Sequence, residues 1–554
     1  MQRISLSTPG EIGGLTLKNR VVMAPMISNL CNQDGSTGEN HIAYLEARAK
    51  GGAALVITEY TCIDRVNSRG SRNQMGMYSD DLVPRLRRLT ERVHRHGAHI
   101  FTQLVHAGGK ALGGGEREPF APSAVDYMGR TPTEMTAEDI DSVVAGFASA
   151  SGRAMLANFD GVELHGAHGY LIQEFLSPAL NRRTDRYGGS MEGRLRFAQE
   201  VIDAVREEVD GVLGIRLSLY EDDAGGYGPE YGLAVAEALR GVDYVHFSAG
   251  RFAPPGSSIS FYGARTHIAA RLPRRPSVRS MVVGSVTSRE EAEAVLEKAD
   301  FVAVGRGMLA DPSFAAKVTG EAGPLRPCIR CNQACRDISF GEVRCTVNPE
   351  TGPEAVTRSV PAAEGSVHIA GAGVKGMEAA IAAAKAGLSV TIHDIRDGIG
   401  GQLLDITDLP KKAEFSRLIE YYREELDRLG VKVELGSRYE GKGLYCLPDR
   451  EYPPLPMGWG LCVDSCIYRH HDDALQAAAG GSVLMTEGSL RSLDRARAAA
   501  YMKMAEEAGV RFGQPEGTPD VSIMEGRQYD LLAAMVSGRE AAERYLEGLP
   551  SGTG

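Results

Sequence analysis

Asp160-Gly-Val-Glu-Leu-His-Gly-Ala-His-Gly-Tyr-Leu-Ile-Gln-Glu-Phe-Leu-Ser-Pro178 runs a short apolar segment straight into a polar turn and a helix start. Val162 to His165 has the make-up of a buried parallel strand, and His165, His168 and Tyr170 fall where that strand ends. The same alternation extends outward in both directions. Strand candidates are Val21 to Ala24, Leu55 to Thr58, Ile100 to Leu104, Leu213 to Leu217, Tyr244 to Phe247, Met281 to Val283 and Phe301 to Val304. Amphipathic helix candidates separate them, among them Asp81 to His96, Asp139 to Ala157 and Arg289 to Lys298. Eight strand-helix units within about 300 residues suit a closed (β/α)8 TIM barrel better than an open sheet. Chemistry in such a barrel gathers in the loops after the strand C-termini. Gln103, His106, His165, His168, Tyr170, Arg216, Gly305 and Arg306 all fall there.

Beyond the barrel the chain is long enough for further domains, with 554 residues, 43% hydrophobic and 24% charged. A net charge of −11 argues against nucleic acid or an anionic membrane surface as partner, since both demand clustered basic side chains. A small-molecule substrate is the expectation. The opening Met1 to Ser5 shows no basic-plus-apolar leader, and no stretch reaches membrane-spanning length, so a cytoplasmic location is expected.

Four of the nine cysteines crowd into Cys328-x2-Cys331-x3-Cys335-x9-Cys345. Four soft thiolates in one loop read as a metal site, and their spacing fits either an iron-sulfur cluster or zinc. Cys31, Cys62 and Cys446 read as small buried hydrophobes, and Cys462 with Cys466 lacks partners for a second site. Pro, Thr, Ala, Glu and Gly then dominate Pro349 to Gly365, a linker composition. Ser366 to Ala370 follows as a strand, and Gly371-Ala-Gly373-Val-Lys-Gly376 opens a helix. A second strand, Ser389 to His393, ends at Asp394. This β-α-β unit places a pyrophosphate at a helix N-terminus and an acid on the adenine ribose. The expected divisions are 1–322 for the barrel, 323–360 for the cysteine segment and linker, and 361–554 for a shortened Rossmann-like domain.

The Asp160 to Pro178 stretch, continuing through Asn181-Arg-Arg-Thr-Asp-Arg-Tyr-Gly-Gly-Ser to Arg194, resembles the fourth-strand signature of the old yellow enzyme family. Ala24-Pro-Met, Gln103 with His106, Arg216, Val283-Gly-Ser and Gly305-Arg-Gly follow in that family's order. With the cysteine segment and the nucleotide unit, residues 5 to 435 resemble its 2,4-dienoyl-CoA reductase and trimethylamine dehydrogenase branch. The resemblance implies FMN in the barrel and tips the cysteine site toward a 4Fe-4S cluster. Gly284, Ser285, Gly305 and Arg306 would hold the flavin phosphate through backbone N–H groups and a cation. Gln103 would meet the ring's pyrimidine edge and Arg216 its N1 side. Pro25, Met26, Ile27 and Glu59 complete the implied flavin contacts.

His165 and His168 can aim two N–H donors at a substrate carbonyl, and in the resembling ene-reductases the position of Tyr170 protonates the alkene carbon. The reaction so implied is reduction of an activated C=C bond of an enone, enoate or dienoyl-CoA, with NAD(P)H as hydride donor. Members with covalent flavin carry a cysteine where this chain has Ile27, which demotes amine oxidation. Oxidative N-demethylation and an electron-transfer subunit are the alternatives, the latter with a donor or acceptor protein. A homo-oligomer is expected.

In the C-terminal part, Ile399-Gly-Gly401-Gln402 resembles the continuation of an FAD domain, and Tyr529 to Glu543 its closing helix. After about Tyr439 the second nucleotide-binding insert of related reductases is not recognisable, so FAD, ADP or no nucleotide remain open for this domain.

Overall fold

The computed structural model describes residues 4–112, 119–126, 129–221, 225–250, 268–336, 341–356, 362–406 and 409–447, with short stretches between 461 and 548. Cys466 and the 440–525 segment's remaining length lie largely outside the described residues. The chain divides into two units, one ending at Thr357 and one running from Arg358, so the cysteine segment belongs with the barrel.

The first unit is a closed barrel of eight parallel strands in sequential order. They are β1 (Val21–Met23), β2 (Leu55–Cys62), β3 (His99–Val105), β4 (Gly161–Gly166), β5 (Val212–Ser218), β6 (Tyr244–Ser248), β7 (Ser280–Val283) and β8 (Phe301–Val304). Seven contain the segment expected from sequence, and β1 ends one residue short of the expected Ala24. Closure is made by β8 on β1, Val302 opposite Val21 and Val304 opposite Met23.

The intervening helices bury one stripe each. Val83–His94 turns Val83, Leu86, Leu89 and Val93 inward, and Ala137–Leu156 starts at a capping box between Thr136 and Asp139. A short hairpin, Gly10–Ile12 with Leu15–Leu17, packs Ile12 and Leu17 into the barrel core beside Leu55, Phe101, Tyr244, Met281 and Phe301. Arg20 fastens the approach, donating to the Thr8 and Pro9 carbonyls at 3.0 and 2.6 Å while stacking 5.1 Å over Phe301. Apolar side chains thus seal the N-terminal end, which leaves the C-terminal mouth for polar chemistry.

One irregularity shapes that mouth. The β2–β3 register shifts between Ile57 and Tyr60, so Glu59 and Tyr60 leave the regular in-out alternation.

In the second unit a parallel sheet runs in the order Lys432–Glu434, Ser389–His393, Ser366–Ala370, Leu444–Tyr445. The helix Val374–Lys385 follows the Gly-rich turn, and Leu531–Glu547 packs on it so closely that a Cβ on Gly538 would sit 2.2 Å from the Lys375 carbonyl oxygen. Glu378, fully buried in the first helix, accepts from Tyr422 Oη at 2.8 Å and Arg539 Nε at 3.2 Å. A second parallel sheet of four strands, none recognised from sequence, joins Val510–Phe512, Val483–Met485, Leu461–Ser465 and Val521–Ile523.

Candidate active site

Residue alternation along β4 sends Glu163 and His165 to the same side, into the barrel. Glu163 is fully buried. Its Oε1 accepts from Gln103 Nε2 at 2.6 Å, and its Oε2 accepts from Tyr244 Oη and pairs with His246 Nδ1, both at 2.9 Å. Burial opposes the Glu163 charge, but His246 and Arg216 outweigh it and hold the carboxyl below its usual range. Arg216, opposite His165 on β5, is lowered to about 10 by burial, with Glu163 acting against that shift. Three buried polar atoms around this network lack a protein partner: Gln103 Oε1, Arg216 Nε and His246 Nε2. Folded chains seldom strand such atoms, so this end of the barrel suits a polar, hydrogen-bonding guest. An amide acceptor beside a buried guanidinium fits the pyrimidine edge of a flavin.

Above this layer His165, His168 and Tyr170 come together as expected, with a difference in detail. His165 Nδ1 accepts from the Ala167 N–H at 3.2 Å, so its Nε2 carries the proton. That proton points to His168 Nδ1 at 3.3 Å, and His168 Nε2 donates to Ser248 Oγ at 2.7 Å. The two imidazoles are therefore linked in series, rather than aimed in parallel at one oxygen. Burial, then Arg216, lowers both well below the ordinary histidine range, so both are neutral donors near pH 7. His168 sits at φ 60, a left-handed conformation uncommon for a non-glycine residue and a mark of functional sites.

Tyr170 caps the helix Leu171–Leu176 with its ring 4.8 Å from His165, edge to face. Tyr60, which the sequence did not single out, lies with its ring 5.3 Å from the Tyr170 ring, the two tilted by 37°. Burial raises the Tyr170 phenol above its usual value, keeping it protonated. The Lys110 ammonium lies 5.4 Å from the Tyr170 ring centroid and donates to the His168 carbonyl. Glu163 left a signal in the sequence, two positions before His165. Tyr60 left none, because the register shift in β2 places it.

The remaining expected flavin contacts gather around β1, β7 and β8. A Cβ on Gly305 would meet Met26 Sδ at 2.7 Å, so the segment following Pro25 runs beside Gly305-Arg306. Ser285 adopts φ 56 next to Gly284. Ile27 leads into Ser28, whose backbone N–H and Oγ both donate to Glu59 Oε2, at 2.6 and 2.5 Å. The Glu59 carboxylate is thus turned to this loop.

Cys328, Cys331, Cys335 and Cys345 converge. Burial, and then Cys331 and Cys328, push the Cys335 thiol up to about 12, and Cys345 is raised by burial and by the other three. Among the described residues no three of these sulfurs lie within 4.8 Å of one another. The cysteine loop also grips the expected phosphate residues. Arg330 donates from Nε to Ser285 Oγ and from an Nη to the Ser285 carbonyl, each at 2.9 Å, and Arg306 donates to Asn332 Oδ1 at 2.6 Å.

In the second unit Gly371 sits at φ 105, and a Cβ on Gly376 would lie 1.8 Å from the Gly371 carbonyl oxygen. Gly373 caps the helix Val374–Lys385 and bridges to Gly400, next to Gly401-Gln402. Asp394 accepts from the Ala372 N–H at 2.6 Å and the Arg396 N–H at 2.9 Å, steadying the Gly-rich turn.

Among known proteins, the NADH oxidase of Thermoanaerobacter brockii is 38% identical over 466 residues, covering 80% of this chain and 72% of that protein. A solved 2-naphthoyl-CoA reductase superposes with a TM-score of 0.82 at 25% identity, over 92% of this chain and 87% of the other. Histamine dehydrogenase from Rhizobium sp. 4-9 shares the fold at 21% identity and a TM-score of 0.83, over 99% and 97% of the two chains. No helix among the described residues is long and apolar enough to cross a membrane. Residues 5–322, the whole barrel, match the NADH:flavin oxidoreductase / NADH oxidase family, and with the relatives above this shows that the chain belongs to it as a flavin-dependent oxidoreductase.

Proposed function

We propose that this enzyme reduces the activated C=C bond of an α,β-unsaturated carbonyl compound, with NAD(P)H as hydride donor. The observation that carries the reading is the neutral His165–His168 pair beside a protonated Tyr170, above the unpartnered Gln103 Oε1 and Arg216 Nε. Bound FMN would take the hydride from NAD(P)H and pass it to the substrate. Gln103 and Arg216 would hold its ring, Gly284, Ser285, Gly305 and Arg306 its phosphate, with Pro25, Met26 and Ile27 as further contacts. The substrate oxygen accepts a hydrogen bond from His165 Nε2 in place of His168 Nδ1, and His168 turns its Nε2–H toward the same oxygen; both protons stay on their rings. This stabilises negative charge developing on the oxygen as hydride adds to the β-carbon. Tyr170 Oη gives its proton to the α-carbon and regains one from solvent after product leaves.

The 2-naphthoyl-CoA reductase likeness supports acyl thioesters among the substrates. Arg216 and Lys110 in the mouth disfavour a cationic amine there. The four cysteines hold a 4Fe-4S cluster in this reading. The Gly371–Gly376 turn takes an adenine nucleotide, FAD or ADP. Anaerobic titration tests the whole: NADH or NADPH bleaches the flavin and an enone or enoyl thioester restores its colour. Bleaching by methylated amines, with no recovery on adding enones, would overturn the reading.

A further inference from the structure

A second cluster of metal-type side chains lies outside the mouth. Cys31 from the loop after β1, His41 from the helix Glu39–Lys50 and Glu59 from the β2 irregularity each offer a ligand atom, and these atoms lie within 4.8 Å of one another. All three side chains are buried, at 4%, 0% and 1% exposure. Neither ring nitrogen of His41 has a hydrogen-bond partner. A wholly buried imidazole left that way is unfavourable unless something not made of protein bonds it.

Glu59 is already oriented as a ligand. Ser28 fixes Oε2 through two hydrogen bonds, while Oε1 accepts from the Met75 N–H at 3.0 Å and faces Cys31 Sγ at 3.9 Å. Such outer hydrogen bonds are what fix a metal-binding carboxylate.

We infer that Cys31, His41 and Glu59 bind one divalent metal ion of borderline softness, zinc foremost. One sulfur, one nitrogen and one oxygen ligand suit that ion, and a thiolate with a carboxylate balances its two charges. Binding expels the Cys31 thiol proton, and the Glu59 proton where present, to solvent; nothing is oxidised or reduced. A cleft of about 430 Å³ lined by Leu30, Cys31, Asn32, Gly38 and Asn40 reaches the site at Cys31. The ion would pin the loop that follows Pro25 to Ile27 onto β2 and the first helix. The site uses none of His165, His168, Tyr170, Gln103 and Arg216; Glu59 is shared with the expected flavin contacts, so the variants are confined to Cys31 and His41.

The test is metal analysis of the intact enzyme after exposure to Zn2+ and desalting. The expected content is about one zinc per chain, falling below about a tenth in both Cys31→Ser and His41→Ala, while iron and flavin contents stay at the wild-type level. Zinc-edge X-ray absorption of the wild-type enzyme gives a second reading that needs no variant: a mixed shell with one sulfur at about 2.3 Å and lighter ligands at about 2.0–2.1 Å. Absence of zinc, zinc retained in both variants, or a four-sulfur shell would each overturn the site.

Discussion

At the residue scale the mouth's chemistry rests on groups that burial keeps uncharged. Tyr170 stays protonated because its phenolate would be desolvated, and His165 and His168 stay neutral for the same reason, reinforced by Arg216. Tyr170→Phe keeps the ring and removes only the acid. Turnover of an enone is expected to fall by about 100-fold or more, while flavin reduction by NAD(P)H in stopped flow stays near wild type. Equal turnover in the variant would end the proton-donor role. His168 adds a conformational element, since its φ of 60 holds the ring against Ser248 and within reach of His165.

At the scale of elements, the cysteine loop and the β7 and β8 turns behave as one piece. Arg330, itself at φ 52, sends its guanidinium to Ser285 and to Glu291. Charge-assisted bonds of this kind are worth about 1.5–3 kcal/mol each. Arg330→Ala is therefore expected to weaken FMN binding by about tenfold or more, measured by recovery of flavin fluorescence on dilution, even though Arg330 is not among the expected phosphate ligands. In the second unit the Gly-rich turn leaves no room at Gly376, where an added Cβ meets backbone rather than a yielding side chain. If the turn takes the proposed adenine nucleotide, Gly376→Ala strips it and spares FMN, as read by chromatography of the released cofactors.

For the whole molecule, acid stability is set by buried neutral imidazoles. His106 is lowered to about 4 by burial, with Asp64 acting weakly against it. The unfolded chain binds a proton near pH 6.5 that folded His106 refuses until about pH 4, so stability falls as pH drops through that window, by about 1.4 kcal/mol per pH unit for such a residue. His165 and His168 extend the loss further down. Thermal melts should show a Tm declining below about pH 6.5, and His106→Gln should flatten part of that slope. A Tm unchanged between pH 6.5 and 4 would contradict it. The barrel was legible because its strands are short, apolar and evenly spaced, a pattern that only burial on both faces explains. The Asp160 to Pro178 stretch carried His165, His168 and Tyr170 with it, since a strand end and its loop are local in sequence. The second sheet of the C-terminal unit was not legible, its strands being three to five residues long with no glycine fingerprint. By itself, then, the sequence determined the barrel, the cysteine loop and the Gly-rich turn, all encoded in local periodicity and spacing. Tertiary structure alone decided that Tyr60 packs on Tyr170, that the two histidines are hydrogen-bonded to each other, that Arg330 reaches Ser285, and that Cys31 meets His41 and Glu59, because those pairings depend on strand register, on backbone conformation at the strand ends and on distances between segments far apart in the chain.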